Sequence, residues 1–360
     1  MPEHAEIYAM SQTINRWAVR TRVVALTKSP VHKSPAPLLP LRPGTASGCV
    51  VAAVSRGKEL LLAAAPTRSL LGKVVAATAA AEAELGPAPS TAALATAGVR
   101  DELIAALAAA SGKDGLVLVV GMGMTGTWKV VEPGEEMPRH AHLRFEGDDG
   151  SVLVFEDMRR LSRWRCHAAG EAKATWTAGR GPDSLREPAA FAANIERGRG
   201  TAAFGKMLCD ALLNQRYFNG IGNYLRAEIM HRAGLSPFIT LDEALELPQG
   251  GQMLKLVASI PHEVMQLAEA YEPAKAKEGA FAAWLTAYGK LESVRDKAAR
   301  TVWFDATQHK VPSAMRATLG KGRVRGIESR SKAKSKPKTA QAKPKAGKAK
   351  LKAANRKGDR

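Results

Sequence analysis

The first residues of the chain combine an imino acid with two carboxylates. Position 2 is a proline, small enough for the preceding methionine to be removed, and Glu3 and Glu6 follow it. Because an α-amine titrates near about 7.7 to 8.0, a processed Pro2 would have a neutral, nucleophilic fraction at neutral pH. Such an amine can attack the C1′ of a damaged nucleotide and form an iminium, an electron sink for eliminating the flanking phosphates. Glu3 can protonate the departing group, and Glu6 can position the amine.

The same residues also suit the start of a helix. A proline near a first turn, followed by acidic residues, complements the helix dipole. Taken alone, the motif leaves catalysis and helix initiation both open.

A second candidate site is the run 214–228, in which two glycines lie between two helical patterns. Backbone N–H groups at the start of the second helix can face an anion, and Asn223 adds a side-chain donor. An ordinary turn between helices would also use glycine and asparagine. The two arginines of the run favour nucleic acid as the anion.

Apolar spacing predicts the elements that would position these residues. Ile7, Met10, Ile14 and Trp17 recur at helical intervals, so a helix opens the chain. The β-type segments that follow, two of them flanking the turn 147–150, predict an antiparallel sandwich or barrel. These segments are 22–26, 49–54, 59–63, 116–120, 128–131, 142–145 and 151–156.

The pattern changes after the Gly- and Pro-rich linker 179–183, where we place a domain boundary. Helices are expected from about 187 to 271 and over 281–288. A β-prone run, 300–304, precedes 309–312 and predicts a terminal hairpin between the two.

The positive charge of the chain is concentrated at its C-terminal end. Of the formal charge of +19, 17 basic and two acidic residues lie between Arg316 and Arg360. A polyanionic partner is the natural interpretation, with simple solvation as the alternative. This stretch has no apolar period, so disorder is expected over 313–360.

Composition also excludes several classes of protein. The chain has three cysteines and no C-x-x-C pair, which argues against a zinc ribbon or a disulfide framework and favours reduced thiols. The Ala-rich stretch 70–110 is interrupted by charges and prolines, so it is not expected to span a membrane.

Together these features resemble the Fpg/Nei family of DNA glycosylases, in particular the eukaryotic Nei-like branch whose zinc finger is replaced by a zincless hairpin. The match is dispersed over 1–312. It is most specific in 214–228, which is similar to a helix-two-turn-helix. The run 289–304 is similar to the zincless finger. The other matching runs are 2–6, 56–60, 123–126, 139–145, 157–160 and 163–164.

The resemblance implies an α+β fold. An N-terminal helix and antiparallel β-sandwich would form a catalytic domain over 1–180. An Ala-rich insertion at about 66–113 is expected to form one or two helices outside the sandwich, with no role that we can assign. A helical domain with the helix-two-turn-helix would occupy 185–278 and the zincless β-hairpin finger 279–312. The disordered basic tail would follow over 313–360.

It also implies a bifunctional base-excision-repair enzyme. Such an enzyme removes oxidised pyrimidines and ring-opened purines, and cleaves the abasic strand by β,δ-elimination through a Schiff base on Pro2, with no metal or cofactor. The expected partner is damaged double-stranded or single-stranded DNA. We expect a monomer without membrane attachment, with repair proteins as further partners of the tail. The expected location is the nucleus in a eukaryote, and otherwise the nucleoid-associated cytoplasm.

By resemblance, Pro2 is the nucleophile, Glu3 the catalytic acid, and Lys58 a lysine on a β-turn that contacts phosphate or lesion. Three residues would fill the gap left by a flipped nucleotide, and three others would bind phosphates. The gap-filling residues are Met124, Arg159 and Leu161, and the phosphate contacts are His140, Asn223 and Arg300.

Each of these side chains has a plainer alternative. Lys58 can be a surface lysine, Met124 and Leu161 core residues, and Arg159 the partner of a carboxylate. Arg300 can stack on Trp303, and His140 with His142 can form a metal pair, although the resemblance makes His142 structural.

Three departures from the family pattern stand out. Ala5 replaces a proline, which leaves the placement of Glu6 open, and Leu161 stands where a relative would carry phenylalanine. The segment 266–277 matches the lesion-recognition loop poorly, so base preference is open.

Two rival functions remain open. One is a non-catalytic DNA- or chromatin-binding relative of the enzymes, and the other is an RNA-binding or ribosome-associated protein.

Overall fold

The computed structural model describes residues 2–39, 48–84, 102–109, 115–171, 176, 178–267 and 279–318. These residues form the predicted α+β fold, with an N-terminal helix, an eight-stranded antiparallel sheet, a largely helical second half and a two-stranded hairpin. The strands are β1 (Val23–Lys28), β2 (Cys49–Arg56), β3 (Glu59–Pro66), β4 (Leu116–Gly121), β5 (Gly126–Val131), β6 (Ala141–Gly147), β7 (Val152–Asp157), β8 (Arg163–Ala168), β9 (Glu292–Arg295) and β10 (Thr301–Phe304).

The helices divide between the two halves of the chain. They are α1 (His4–Arg20), α2 (Leu70–Glu84), α3 (102–109), α4 (Pro188–Gly198), α5 (Leu208–Ala211), α6 (Asn223–Arg232), α7 (Leu241–Glu246), α8 (Gly250–Gln266) and α9 (Ala280–Trp284). Short 3₁₀ helices lie at Ala169–Glu171 and Ser313–Thr318.

The large sheet folds back on itself as a sandwich. Its strand order is β5-β7-β6-β1-β2-β3-β4-β8, and β1 and β2 share one residue pair, Val23 with Cys49. The sheet therefore divides there into two four-stranded halves. Phe155 on β7 and Trp164 on β8 meet edge to face with ring centroids 5.9 Å apart, although these strands are far apart in the order. The two inner faces thus share one core.

Helix α1 packs on two hydrophobic cores at once. Its predicted stripe, including Ile7 and Ile14, lies in the core of the sandwich, whereas Ala5 and Tyr8 lie in the core built mainly by the helices of the second half. Because one helix contributes to both cores, its first turn is held where they meet. The N-terminal residues are placed there with it.

The Ala-rich insertion packs against the sandwich more closely than the sequence suggested. We expected one or two helices outside the β-sandwich with no assigned role, but Leu71 and Val75 of α2 and Leu107 of α3 are buried in the sandwich core. The strand β8 was not expected either. Its arginines alternate with inward-facing residues such as Trp164, the pattern of a strand with one buried face.

The C-terminal hairpin forms between different partners from those predicted by the sequence. Strand β10 pairs with β9, with Val302 opposite Val294, and not with 309–312. The reason is local turn chemistry: the carboxylate of Asp296 accepts hydrogen bonds from the backbone N–H groups of Ala298 and Arg300, each at 2.9 Å.

Folded structure extends past residue 313, where we predicted that the disordered tail begins. Met315, in the 3₁₀ helix Ser313–Thr318, is buried in the second core. The rest of the predicted tail, 319–360, lies outside the described residues, as do 85–101 and 110–113 of the insertion and 268–277 of the expected lesion-recognition loop. No helix among the described residues has the length and apolar character needed to cross a membrane.

Candidate active site

The side chain of Glu3 reaches from α1 to the start of α6. Its carboxylate accepts hydrogen bonds from the backbone N–H groups of Gly222 at 2.8 Å, Tyr224 at 3.0 Å and Leu225 at 3.2 Å. These N–H groups have no partner within their own helix, which makes a helix start a favourable place for a negative charge. The sequence predicted an anion at this turn, and in the structure the anion facing it is the protein's own Glu3.

Glycine is required where the two segments approach. A Cβ atom on Gly222 would lie 2.2 Å from the carboxylate of Glu3, and Gly220 has a φ of +102° with its Cβ position 3.0 Å from the Cβ of His4. Any larger residue at either position would push α1 away from α6. The two glycines therefore set the distance between Glu3 and the helix that binds it.

Glu6 stabilises the same N-terminal turn through hydrogen bonds. Its Oε2 accepts hydrogen bonds from the backbone N–H of Glu3 and from the hydroxyl of Tyr224, both at 3.0 Å. The helix begins at His4, and Ala5 is buried in the second core. The absence of the family's proline at position 5 therefore does not displace Glu6 from the N-terminal turn.

The buried position changes the acidity of this group of residues. Burial, to which the negative charge of Glu6 adds, raises the pKa of Glu3 to about 7, although Lys58 and the N–H donors of α6 oppose the rise. Burial also raises the pKa of Glu6 and lowers the pKa of Lys58, against the opposing effect of Glu3. A carboxylic acid that still carries its proton at neutral pH is suited to general-acid catalysis.

Lys58 lies in the tight turn between β2 and β3, beside Gly57 with a φ of +57°. Asp183 fixes this turn, because its Oδ2 accepts the backbone N–H of Gly57 at 2.9 Å and lies 2.9 Å from the Nε2 of His4. Burial would raise the pKa of the Asp183 carboxyl, but His4, Arg186 and the hydrogen bonds hold it well below its usual range. One buried carboxylate thus connects the turn of Lys58 to the residue that follows Glu3.

The sequence did not single out Asp183 or His4 as functional. Both belong to long-range contacts between the linker, α1 and the β2–β3 turn. The available signal was the Gly-Pro-Asp run of the linker, which we took only as a domain boundary.

The three predicted gap-filling residues lie together on two adjacent turns. Met124 is in the turn between β4 and β5, and Arg159 and Leu161 are in the turn between β7 and β8. Met124 is 44% exposed and Leu161 45% exposed, so neither is a core residue. The Nη1 of Arg159 is 3.1 Å from the Sδ of Met124, although the sequence alternative gave Arg159 a carboxylate partner. His140 borders this group, since its carbonyl accepts the N–H of Asp157.

The predicted phosphate contacts have different surroundings. Asn223 begins α6, its side chain is hydrogen-bonded to Tyr288, and its buried Oδ1 has no hydrogen-bond partner among the described residues. Tyr288 was not identified from the sequence as a site residue, because its spacing places it in the last predicted helix.

Arg300 is 42% exposed. It is bonded through Nε to Asp296 at 2.7 Å and through Nη2 to Asp210 at 2.9 Å. It is therefore engaged by carboxylates, which the stacking alternative did not foresee.

His142 is structural, as the resemblance implied. It is buried, and its Nε2 lies 3.0 Å from the carbonyl oxygen of Asp157. Among the residues that the structure covers, no group of three or more histidine, cysteine or acidic side chains is arranged to hold a metal ion.

Known proteins share both the sequence and the fold. Residues 1–164 match the family model of the formamidopyrimidine-DNA glycosylase N-terminal domain. Human endonuclease 8-like 1 is 34% identical over 333 residues, which span 84% of this chain and 72% of the human protein. Mouse endonuclease 8-like 1 is 39% identical over 216 residues, 52% of this chain and 54% of the mouse protein.

Solved structures show the same architecture at low identity. A complex of MutM with DNA containing carbocyclic 8-oxo-G has a TM-score of 0.60 and 14% identity, and it covers 86% of this chain and 100% of its own. MutM (Fpg) from Thermus thermophilus has a TM-score of 0.58 and 19% identity with the same coverage. These findings confirm the predicted fold and the predicted resemblance: the chain belongs to the Fpg/Nei family of DNA glycosylases, in its endonuclease 8-like branch.

Proposed function

We propose that this protein removes oxidised bases from DNA and cuts the strand through a covalent intermediate on the amine of Pro2. Membership of the family makes it a base-excision-repair glycosylase and abasic-site lyase that binds DNA. The proposal concerns which groups perform the two steps and on which lesions. Oxidised pyrimidines and ring-opened purines are the proposed substrates.

The observation that carries the proposal is the pairing of a half-buried Pro2 with a buried acid. Glu3 is 1% exposed and held by three N–H groups of α6, so its position relative to Pro2 is fixed. A fixed acid beside a free amine is the arrangement that base excision by an amine requires.

The steps can be written on these groups. The nitrogen of Pro2 forms a bond to C1′ as the bond from C1′ to the base breaks, and the base leaves with that electron pair and takes up the proton that the nitrogen of Pro2 releases. Opening of the sugar ring converts O4′ to a hydroxyl, for which Glu3 supplies the proton, and leaves an iminium at C1′. Loss of a proton from C2′ then expels the 3′ phosphate, and a second elimination expels the 5′ phosphate. Water finally releases Pro2.

We assign the remaining residues to DNA. Lys58, His140, Asn223 and Arg300 would bind phosphates around the lesion, and we add Tyr288 because it lies on Asn223. The tip of Met124, Arg159 and Leu161, defined here as the void-filling tip, would enter the stack when the damaged nucleotide is flipped out. Its exposed apolar side chains offset part of an unstacking cost of about a few kcal/mol.

The test is a glycosylase assay on a duplex that carries one oxidised pyrimidine. We expect base release together with strand breaks that need no added alkali and end in phosphates. The same sequence as RNA and an undamaged duplex are the controls. Tight binding of the lesion duplex without cleavage would identify a non-catalytic DNA binder, and preference for RNA would favour the RNA-binding alternative; either result would overturn the proposal.

Removal of residues 319–360 is expected to leave base excision intact at low salt. These residues carry 16 basic and two acidic side chains. Each phosphate that they neutralise adds about 0.9 to the slope of log affinity against log salt, so truncation should flatten that slope. The measurement is lesion-duplex affinity between 50 and 200 mM salt, roughly the range over which such contacts are lost. A truncated protein that cannot cleave at low salt would contradict this assignment.

We further propose a monomer whose basic C-terminal residues contact repair partners. The proposed location is the nucleus in a eukaryotic cell and the nucleoid otherwise.

A further inference from the structure

The two turns of the void-filling tip are tied together by one buried carboxylate. We infer that Asp157 is a positioning residue that holds Met124, Arg159 and Leu161 in the arrangement needed to enter the DNA stack. This inference rests on the proposed function, because it gives the tip a task during base excision.

The hydrogen bonds of Asp157 reach both turns. Its carboxylate accepts from the hydroxyl of Thr125, from the backbone N–H of Arg159 at 3.2 Å and from the backbone N–H of Ser162 at 2.8 Å. Thr125 follows Met124 in the chain, and Ser162 follows Leu161. Every donor to this carboxylate is therefore a member or an immediate neighbour of the tip.

The backbones of the two turns are also in direct contact. Gly123 has a φ of +59°, and a Cβ atom there would lie 2.7 Å from the carbonyl carbon of Leu161. Arg160 adopts a φ of +53°, which is uncommon for a residue with a side chain. Such a conformation persists only where its surroundings over-determine it, and Asp157 supplies the hydrogen bonds that do so.

Burial cannot hold the tip in place, because its side chains face solvent. Met124 and Leu161 are nearly half exposed, whereas Asp157 is 0% exposed. Their direction is therefore set by the backbone anchors beneath them.

The charge on Asp157 suits this task. Burial would raise the pKa of its carboxyl, but hydrogen bonds from Thr125, Ser162 and Arg159 hold it below the usual value. The ionised carboxylate has acceptor sites for all of these donors at once. An asparagine in its place would turn its N–H₂ group toward the backbone N–H of either Arg159 or Ser162 and leave both of the facing donors unpaired.

The residues that pack beneath the void-filling tip are also held by specific contacts. The Nε2 of His32 is 3.2 Å from the hydroxyl of Ser162, and its ring stacks on Trp164 at 4.0 Å. His142 lies against the carbonyl of Asp157. Rigid packing below the carboxylate means that its hydrogen bonds fix the turns relative to the sandwich, and not only relative to each other.

A loosened tip should affect one step and spare the others. The group around Glu3 and Lys58 does not share these hydrogen bonds, so bond breaking at an already extruded nucleotide should continue. Extrusion from a paired duplex needs the tip to fill the gap, and misplacement of a reacting or positioning group by 1 Å can cost about a hundredfold. The expected defect therefore depends on whether the lesion is paired.

The test compares two duplexes that differ only opposite the lesion. In one the oxidised pyrimidine faces a normal base, and in the other it faces a base-free nucleotide that lacks the C1′ oxygen and so cannot be cleaved, which leaves no partner to displace. For Asp157→Asn we expect kcat/KM on the paired duplex to fall by about a hundredfold and on the unpaired duplex by less than about threefold. Thr125→Val should give a smaller loss of the same kind, and Thr125→Ser should restore it.

Asp149→Asn is the matched control. Asp149 also lies in a β-turn, where its carboxylate accepts from Thr21 at 2.7 Å and from the N–H of Ser151 at 2.9 Å. It lies outside the void-filling tip, so both duplexes should be cleaved at the rates of the unaltered protein. The melting temperature of each variant checks its folding, and the two Thr125 variants decide the question if Asp157→Asn does not fold.

Equal losses on both duplexes in folded Asp157→Asn, or no loss on either, would overturn the inference. Failure of the unaltered protein on both duplexes would overturn the proposed function itself and, with it, this role of Asp157. The two failures are thus distinguishable in one experiment.

Discussion

Protein that keeps Met1 is expected to form no covalent complex with abasic DNA when borohydride is added. In that form the nitrogen of Pro2 belongs to an amide, which is not nucleophilic. The nearest free amine lies one residue away, about 3.8 Å along the chain. Because a displacement of 1 Å can already cost about a hundredfold, strand cleavage should fall by at least that factor. The measurement is the yield of the protein–DNA adduct on a denaturing gel.

One preparation can supply both arms of this experiment. Protein made while methionine removal is inhibited gives the blocked form, and treatment with a methionine aminopeptidase then exposes Pro2 in the same molecules. Mass spectrometry follows the loss of Met1, and the adduct yield should rise in proportion. Affinity for DNA should not change, because the contacts assigned to phosphates do not involve the N-terminus. An equal adduct yield before and after removal would place the nucleophile elsewhere, for instance on Lys58.

Much of the fold is predictable from the sequence because it depends on local periodicity. The stripe of α1 is buried as its spacing requires, and the turn 147–150 joins β6 to β7. The errors in the predicted fold also have local physical causes. The hairpin of β9 and β10 follows from hydrogen bonds that Asp296 makes to its own turn, which spacing of apolar residues does not reveal.

The site was predictable only in part. Pro2, Glu3 and Glu6 lie within five consecutive residues, so their residue types were sufficient to suggest an amine nucleophile with acidic neighbours. The three contacts of Glu3 join residues more than 200 positions apart, and one contact of Asp157, with Thr125, joins residues 32 positions apart. A single sequence shows the anion-binding turn at 220–223, but not which anion occupies it. Asp157 and Asp183 were missed as site residues for the same reason, since each has at least one essential partner distant in sequence, Thr125 for Asp157 and Gly57 for Asp183.

The surroundings of Glu3 also explain why a buried carboxyl can serve as an acid there. Removal from water favours its neutral form, and the nearby charge of Glu6 adds to that effect. The N–H groups of α6 and the ammonium of Lys58 limit the shift, so that the pKa is about 7. A group with a pKa near the working pH can release its proton and recover it in each cycle.

Replacement of Glu3 by glutamine is therefore expected to reduce base excision by about 10² to 10⁴-fold, the usual contribution of a general acid. In the unaltered protein the acid form of Glu3 is lost as the pH rises through a pKa of about 7, while the neutral fraction of the Pro2 amine grows until about 7.7 to 8.0, so excision should slow once the pH exceeds both values. The decline should approach about tenfold per pH unit as the protonated fraction falls. The glutamine variant has no such group and should lose this limb of the profile. Single-turnover rates across the pH range provide the measurement.

The comparison needs a control for folding, because the amide of glutamine would turn a donor toward the N–H groups of Gly222, Tyr224 or Leu225. Such a mismatch costs about 1 to 3 kcal/mol, so the melting temperature must be followed. Glu196→Gln, at an exposed position on α4, is the matched substitution and should leave both rate and stability near those of the unaltered protein. A folded Glu3→Gln variant that excises bases at more than about a tenth of the normal rate, or keeps the same pH profile, would show that the proton comes from another group. A variant that fails on lesion DNA but still forms adducts with preformed abasic DNA would support the assignment, since an abasic sugar opens to its aldehyde without a proton from Glu3.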